Sequence, residues 1–390
     1  MKVCMIGASM SLCSGHSKPA FELARWLLIE GHDVTLISTP LSKGIEQEHN
    51  LLLLNYPELK ELRLIIVPGL DSGTLQNPSV LGEHSGSQVI HAWTAGALKG
   101  LPLSYKTDKR VFSQITTDYV SLQDLFALGP EIALSFVMGQ PKILKQIVNR
   151  HHYRVLTDKC TRLVSATQYM TRRMTLIGVP SDKIVYLPLG VSTWKNSFIS
   201  KPKDDGDLLF MYFGWLSPMR GFRDLLLAFE IVKNRVPHAR LLIANPGNHF
   251  ESKRMMCLIG RHPMADAIRI LPWQSDIRTV LRSVTGVVLP FRGTVGYAQP
   301  PLVVAEAMEA ETPVISTNVG SVPEFIEHNE TGLVVNPGDI EGLAQRMLSL
   351  RDREFAGRLS RNARLKIQTN HNWSNIVDKY IQLYQNAEMK

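Results

Sequence analysis

PPLVVAEAMEAETPVISTNVGSVPEFIEHNETGLVV, residues 300–335, decides the fold. It reads as one unit: a Gly/Pro loop, a short helix, a buried strand, a glycine turn, a second helix and a closing strand. Pro300 and Pro301 stand where a helix can start, because the first turn leaves unused the N–H that proline lacks. Val303, Val304, Ala307 and Met308 give that helix an apolar side, with Glu306 among them. Pro313-Val-Ile-Ser is a short β-branched run, as expected of a central parallel strand. Asn318-Val-Gly-Ser then leads into a helix predicted to open at Pro323. A glycine turn feeding a helix start gathers free N–H groups and the positive end of the helix dipole, which suits an anion. Gly320 and Ser321 are therefore the candidate anion cradle, and Glu306 is a carboxylate facing it. Something anionic and polyhydroxylated fits this arrangement.

The rest of the chain is wound in the same way. Residues 2–7 form a strand, 7–17 a small-residue loop, 20–30 an apolar-faced helix ended by Gly31, and 33–38 the next strand. This βαβ unit opens a doubly wound domain. Its loop lacks G-x-G-x-x-G, so a nicotinamide or flavin site is poorly supported. Further strands are predicted at 62–68, 88–93, 160–167 and 183–188, with a strand and its exit loop over 111–119. A Lys-, Ser- and Asp-rich stretch over 192–207 reads as a linker. A second set of buried strands follows from Asp207, and after Asp339 the chain is helical and amphipathic.

Composition bounds the function. With 390 residues the chain has room for two domains. Hydrophobic residues make up 44% and charged residues 20%, the balance of a soluble globular protein. No early apolar run has the flanks of a signal peptide, and no window approaches the roughly 20 apolar residues of a membrane span. Cys4, Cys13, Cys160 and Cys257 lack metal-ligand or disulfide spacing; they read as small core residues, in a reducing cytoplasm. The net charge of +8 is concentrated between Lys99 and Lys203, where Lys142, Lys145, Arg150, His151, His152 and Arg154 bunch together. Just before them, residues 125–138 are unusually apolar. An apolar patch beside a basic one suits an anionic membrane surface or a lipid-phosphate acceptor. A core helix followed by a solvated basic helix is the other reading. No nucleic-acid-binding module accompanies the charge.

EAMEAETPVI (306–315), VGSVPEFIE (319–327) and NETGLVVNPGD (329–339) fall in the order and spacing of a known signature. It resembles the donor-binding region of the family 4 glycosyltransferases, retaining enzymes of the GT-B architecture. That resemblance implies an α/β fold of two Rossmann-like doubly wound parallel-sheet domains facing a cleft. It implies an acceptor-side domain over 1–191, a nucleotide-sugar-binding domain over 207–370, and a helix over 371–390 crossing back to the first domain. The implied reaction moves a sugar from a nucleotide-diphosphate sugar to a glycan or lipid-linked acceptor, with no cofactor, no metal and no nucleic acid. The implied location is cytoplasmic, at or near the inner membrane face.

The resemblance also implies a site. Glu306 holds the nucleotide ribose, and the Gly320–Ser321 turn holds the diphosphate. GWLSPMRG (214–221) resembles the family's Gly-Arg-Leu-x-Pro-x-Lys-Gly, so Gly214 and Arg220 fall in the diphosphate clamp. Arginine grips phosphate bidentately, which makes Arg220 a workable replacement for the lysine. Gly15, with His16 beside it, matches the glycine-rich loop after the first strand. Trp273 and Gln274 match the base-contacting loop, and Gln299 belongs to the sugar-pocket loop. His91 and Asp118 face the sugar or the acceptor in this picture. His91 also reads as a satisfied structural histidine, and Asp118 as a helix cap.

Four positions depart from the family pattern: Thr117, Trp215, Arg220 and Ala298. Trp215 stands where a cation is usual, and its preferred reading is a buried core residue. Two alternatives to a transferase follow: a GT-B protein that has lost catalysis and serves as a binding subunit, and a same-fold enzyme using a sugar phosphate. The cations near the cradle discriminate among them, with Lys18 and Arg292 as the side chains placed to make up for Trp215.

Overall fold

The computed structural model describes residues 1–7, 18–38, 57–66, 86–93, 109–115, 157, 158, 160–192, 208–244, 250–271, 277–294 and 301–387. Within them the chain builds two parallel sheets. The first comprises β1 (Lys2–Gly7), β2 (Asp33–Ser38), β3 (Arg63–Ile66), β4 (Val89–Trp93), β5 (Arg110–Ile115), β6 (Arg162–Ser165) and β7 (Ile184–Tyr186), in the order β3-β2-β1-β4-β5-β6-β7. The second comprises β8 (Leu209–Phe213), β9 (Arg240–Ala244), β10 (Ile268–Ile270), β11 (Gly286–Leu289), β12 (Val314–Thr317) and β13 (Leu333–Val335), in the order β10-β9-β8-β11-β12-β13. Every pairing in both is parallel, so both faces need covering and the strands read as continuous apolar runs. Each order reverses once, at β1/β4 and at β8/β11, and ligands of such sheets gather at these switch points.

The helices are α1 (Lys18–Ile29), α2 (Gln168–Leu176), α3 (Phe222–Arg235), α4 (Phe250–Gly260), α5 (Arg278–Ser283), α6 (Leu302–Glu309), α7 (Val322–Phe325), α8 (Ile340–Ser349), α9 (Arg353–Asn370) and α10 (Trp373–Asn386). The predicted second helix of the opening stretch is thus one turn, α7, and Ile326 beyond it is already extended. The strand and exit loop predicted over 111–119 are described only as far as Ile115. One large cluster of buried side chains fills the second unit, from Leu208 to Ile367, with Val191 joining it. Two smaller clusters flank the first sheet. Cys4 and Cys160 are core residues as expected, but Cys257 lies exposed on α4, whose apolar side is taken by Met255 and Ile259.

Helix α10 belongs to the first sheet by packing, although it comes last in the chain. Trp373, Ile376, Val377, Tyr380 and Tyr384 are all buried, a spacing that lines one face of a helix. They join the cluster of Val3, Leu23, Val89 and Phe112. Polar ties fix the register: the Tyr380 hydroxyl donates to Gln114 Oε1 at 3.0 Å, and Arg110 donates to the Tyr384 carbonyl at 2.7 Å. Gly190 is required where the helix docks, since a Cβ there would lie 2.3 Å from the Trp373 indole. Among the described residues no helix is long and apolar enough to cross a membrane.

Candidate functional site

Three loops of the sequence signature leave the C-terminal ends of β8, β11 and β12, which are neighbours in the second sheet. They are stitched together by hydrogen bonds. Arg292 donates its backbone N–H to the Met219 carbonyl at 2.9 Å. Thr317 Oγ1 donates to the Phe291 carbonyl at 2.6 Å, and Ser316 Oγ to Leu289 at 2.7 Å. Gly221 has φ +68°, and a Cβ there would sit 1.7 Å from the Pro290 carbonyl oxygen, so only glycine lets the β8 and β11 loops meet.

Arg220 is held in place by this assembly. Its guanidinium lies over the Phe291 ring at 5.9 Å and hydrogen-bonds the Tyr212 hydroxyl. That hydroxyl donates in turn to the Trp215 carbonyl at 2.8 Å. Burial pushes the Tyr212 phenol up to about 12, against the opposing pull of Arg220, so it stays a neutral donor. Gly214, at φ +115°, leaves the space that the Arg220 guanidinium occupies: a Cβ would lie 2.2 Å from its Nη1. Gly214 and Arg220 are thus brought together, and Tyr212 is a supporting residue that the apolar run over 208–213 gave no reason to single out.

Trp215 overturns its sequence reading as a buried core residue: it is 46% exposed. The preceding Gly214 reverses the chain at the end of β8, so the indole leaves the sheet while Leu216 enters the core. Arg292 is engaged elsewhere, in a two-pronged pair with Asp224 in the first turn of α3 (Nε–Oδ2 2.5 Å, Nη2–Oδ1 2.7 Å). Its charge is spent on anchoring the β11 loop.

Glu306 sits on α6 with its side chain 13% exposed and forms an ion pair with Lys18, the first residue of α1. The pair joins the two units, 288 residues apart in sequence. Leu302, one turn before Glu306, packs against the first sheet's core cluster, so α6 leans on the other unit. Gly320 adopts a left-handed turn (φ +60°) and Ser321 is fully buried at the start of α7. A second tie crosses nearby. The Glu324 carboxylate accepts from Gln168 N–H (2.9 Å) and Tyr169 N–H (2.6 Å), capping α2 of the first unit. Thr167 completes that cap by accepting from Met170 N–H at 3.0 Å. A cavity of about 310 Å³ opens beside this clasp, against Tyr186, Phe325, His371 and Lys379. Glu324 and Phe325 of the 319–327 signature segment line it from one side and Ala166 and Pro188 of the first unit from another.

His91 departs from the sugar-facing role. It is fully buried, ringed by Trp93, Phe112, Tyr380 and Tyr384, with Nδ1 2.5 Å from the Tyr384 hydroxyl. It anchors α10. Burial lowers its pKa from 6.5 to about 3. The unfolded chain therefore binds a proton below pH 6.5 that the folded chain refuses until about pH 3. Its contribution to stability is full above pH 6.5 and is lost progressively as the pH falls towards 3. Urea unfolding from pH 7.5 to 4.5 is expected to show His91→Gln losing stability more gently than wild type, by up to about 1.4 kcal/mol per pH unit. Identical slopes would contradict the neutral buried histidine.

Gly15, His16, Thr117, Asp118, Trp273, Gln274, Ala298 and Gln299 lie outside the described residues, as does the apolar and basic region over 122–154. Among the described residues no group of His, Cys, Asp and Glu side chains is placed to hold a metal ion.

Two Rossmann-like parallel sheets, with the signature loops at the C-terminal ends of β8, β11 and β12 of the second, match the GT-B class of α/β folds. The family model for glycosyl transferases group 1 matches residues 194–366. Among curated proteins, glycogen synthase of Mycobacterium tuberculosis is 25% identical over 233 residues, 59% of this chain and 55% of that one. A GDP-mannose-dependent alpha-(1-6)-phosphatidylinositol monomannoside mannosyltransferase of the same species is 25% identical over 252 residues, 60% of this chain and 63% of that one. The chain thus spans little more than half the length of the curated relatives it matches. Among solved structures, Anabaena HepE in complex with UDP-glucose superposes with a TM-score of 0.76 at 16% identity, covering 99% of both chains.

Proposed function

We propose that this chain is a retaining glycosyltransferase that takes its sugar from a nucleotide-diphosphate sugar, without a metal, and passes it to a glycan or lipid-linked acceptor. The observation that carries this reading is the placing of Arg220 after β8, of Glu306 on the helix α6 that follows β11, and of the left-handed Gly320 turn after β12, three adjacent strands beside the β8/β11 switch point. Glu306 accepts hydrogen bonds from the ribose hydroxyls. Arg220 meets the diphosphate, whose charge grows as the sugar's anomeric carbon parts from the phosphate oxygen. The acceptor oxygen bonds to that carbon from the same face, and its proton passes to the leaving phosphate. The groups that hold Arg220 also fix its direction before substrate arrives, so little reorganisation is needed in the transition state. Closure of the two units excludes water, which suppresses hydrolysis of the donor. UDP is the first nucleotide to try, because the HepE neighbour was solved with UDP-glucose.

A binding subunit without catalysis is the second reading. It is favoured by the exposed Trp215 in place of a clamp cation and by the engagement of Arg292 with Asp224.

A thermal-shift screen against UDP, GDP, ADP and their sugar conjugates tests the first reading. A ligand at a hundred times its Kd adds about 2.7 kcal/mol of stability. The expected result is a shift with one base, lost in Glu306→Ala. No shift with any of them in a folded protein would sink the nucleotide-sugar reading. A shift without sugar transfer to any acceptor would favour the binding subunit.

A further inference from the structure

We infer that Lys18, from the first unit, is a positioning residue for the donor diphosphate: its ammonium bridges Glu306 and the phosphate and supplies the cation that Trp215 does not. This rests on the donor-binding reading above.

Three observations carry it. First, Lys18 on α1 of the first unit already pairs with Glu306 on α6 of the second, and the packing of Leu302 on the first unit's core holds α6 against that unit. Second, of the two arginines on the signature loops, Arg220 alone is directed by Tyr212 and Phe291, while Arg292 is committed to both oxygens of Asp224. A diphosphate bound there would meet one guanidinium where the family pattern provides two cations. Third, Glu306 is an anion in a site meant for an anion. Left uncompensated, it would repel the phosphates a few ångströms from the ribose it holds. An ammonium has three donors and no acceptor, so Lys18 can serve the carboxylate and a phosphate oxygen together. Its side chain remains 35% exposed, so it is not sealed off from solvent by the pair with Glu306.

The consequence is a donor site that neither unit completes alone. Affinity for the nucleoside part is set by the second unit, whereas affinity for the phosphates also requires the first unit to stay close.

The test compares Lys18→Gln and Lys18→Arg with wild type by titration calorimetry and competition. The probes are UDP with uridine, GDP with guanosine, and ADP with adenosine, carrying forward the base that wild type binds. Lys18→Gln is expected to weaken the diphosphate about tenfold, the loss of one hydrogen bond to a charged group, while nucleoside binding holds or tightens. Lys18→Arg is expected to restore most of the loss, since arginine also grips phosphate. Diphosphate and nucleoside weakened equally would overturn the inference, because Lys18 would then act only by ordering Glu306. A diphosphate that binds Lys18→Gln more tightly would also overturn it, making Lys18 a competitor for Glu306. A wild type that binds none of the diphosphates would remove the donor reading itself; binding with an unchanged diphosphate-to-nucleoside ratio would remove the Lys18 inference alone.

Discussion

Trp373→Ala is expected to lower the unfolding free energy by about 3–5 kcal/mol, the range for deleting a buried large aromatic. The indole is 1% exposed and rests directly on the Gly190 backbone, where a side chain cannot enter to fill the space. The damage does not stay local. His371, two residues before it, bonds the chain twice: its Nδ1 donates to the Leu189 carbonyl at 2.9 Å and its own carbonyl accepts from Val191 N–H at 2.7 Å, and these contacts hold the start of α10 in place. Loosening Trp373 therefore also weakens the seating of Tyr380 and Tyr384 on Gln114 and His91. Urea unfolding followed by tryptophan fluorescence and far-UV circular dichroism would measure the loss. Limited proteolysis should cut the variant near residue 370 long before wild type. A variant within about 1 kcal/mol of wild type would mean that the site collapses around the gap, contrary to its rigid backbone floor.

Arg220→Met is expected to reduce kcat about 10²–10³-fold, the usual cost of removing one preorganised donor from a developing oxyanion. Methionine keeps the unbranched apolar stem while removing the guanidinium, so the stability should stay within about 1.5 kcal/mol of wild type. Nucleotide affinity should suffer less than kcat, because the charge that Arg220 meets is greatest in the transition state. Steady-state transfer from the nucleotide sugar that passes the screen separates the two. A fall in affinity with kcat intact would make Arg220 a plain anchor and move the chemistry elsewhere.

Much of this architecture was legible in the sequence. Short β-branched runs alternating with amphipathic helices dictate a parallel sheet buried on both faces, and β11, β12 and β13 fall where such runs lie. Gly214, Gly221 and Gly320 were legible too, because a chain that must turn with positive φ advertises itself by glycine. Burial of individual polar or aromatic side chains was less so. Trp215 and His91 are the clearest cases, one read as core and found exposed, the other left open between a sugar contact and a structural histidine and found in the core. Whether a strand residue meets solvent or core depends on what covers its face, and Tyr384 of α10, which covers His91, lies 293 residues further along the chain. The ties between units were less legible for the same reason: Lys18 was singled out for the cradle but not for Glu306, and the backbone N–H groups of α2 that Glu324 caps are brought within its reach only by the folded arrangement.

The crossing of α10 also sets an order on synthesis. A ribosome makes the strands of the first sheet before those of the second, yet that sheet's core is closed by Trp373, Tyr380 and Tyr384. Until these residues have left the exit tunnel, the nascent first sheet exposes Val3, Leu23, Val89 and Phe112 to water. The second unit has no such wait, since its own cluster is complete by Ile367. The half of the chain born first is thus the half finished last. Throughout elongation it is the part most in need of protection from aggregation.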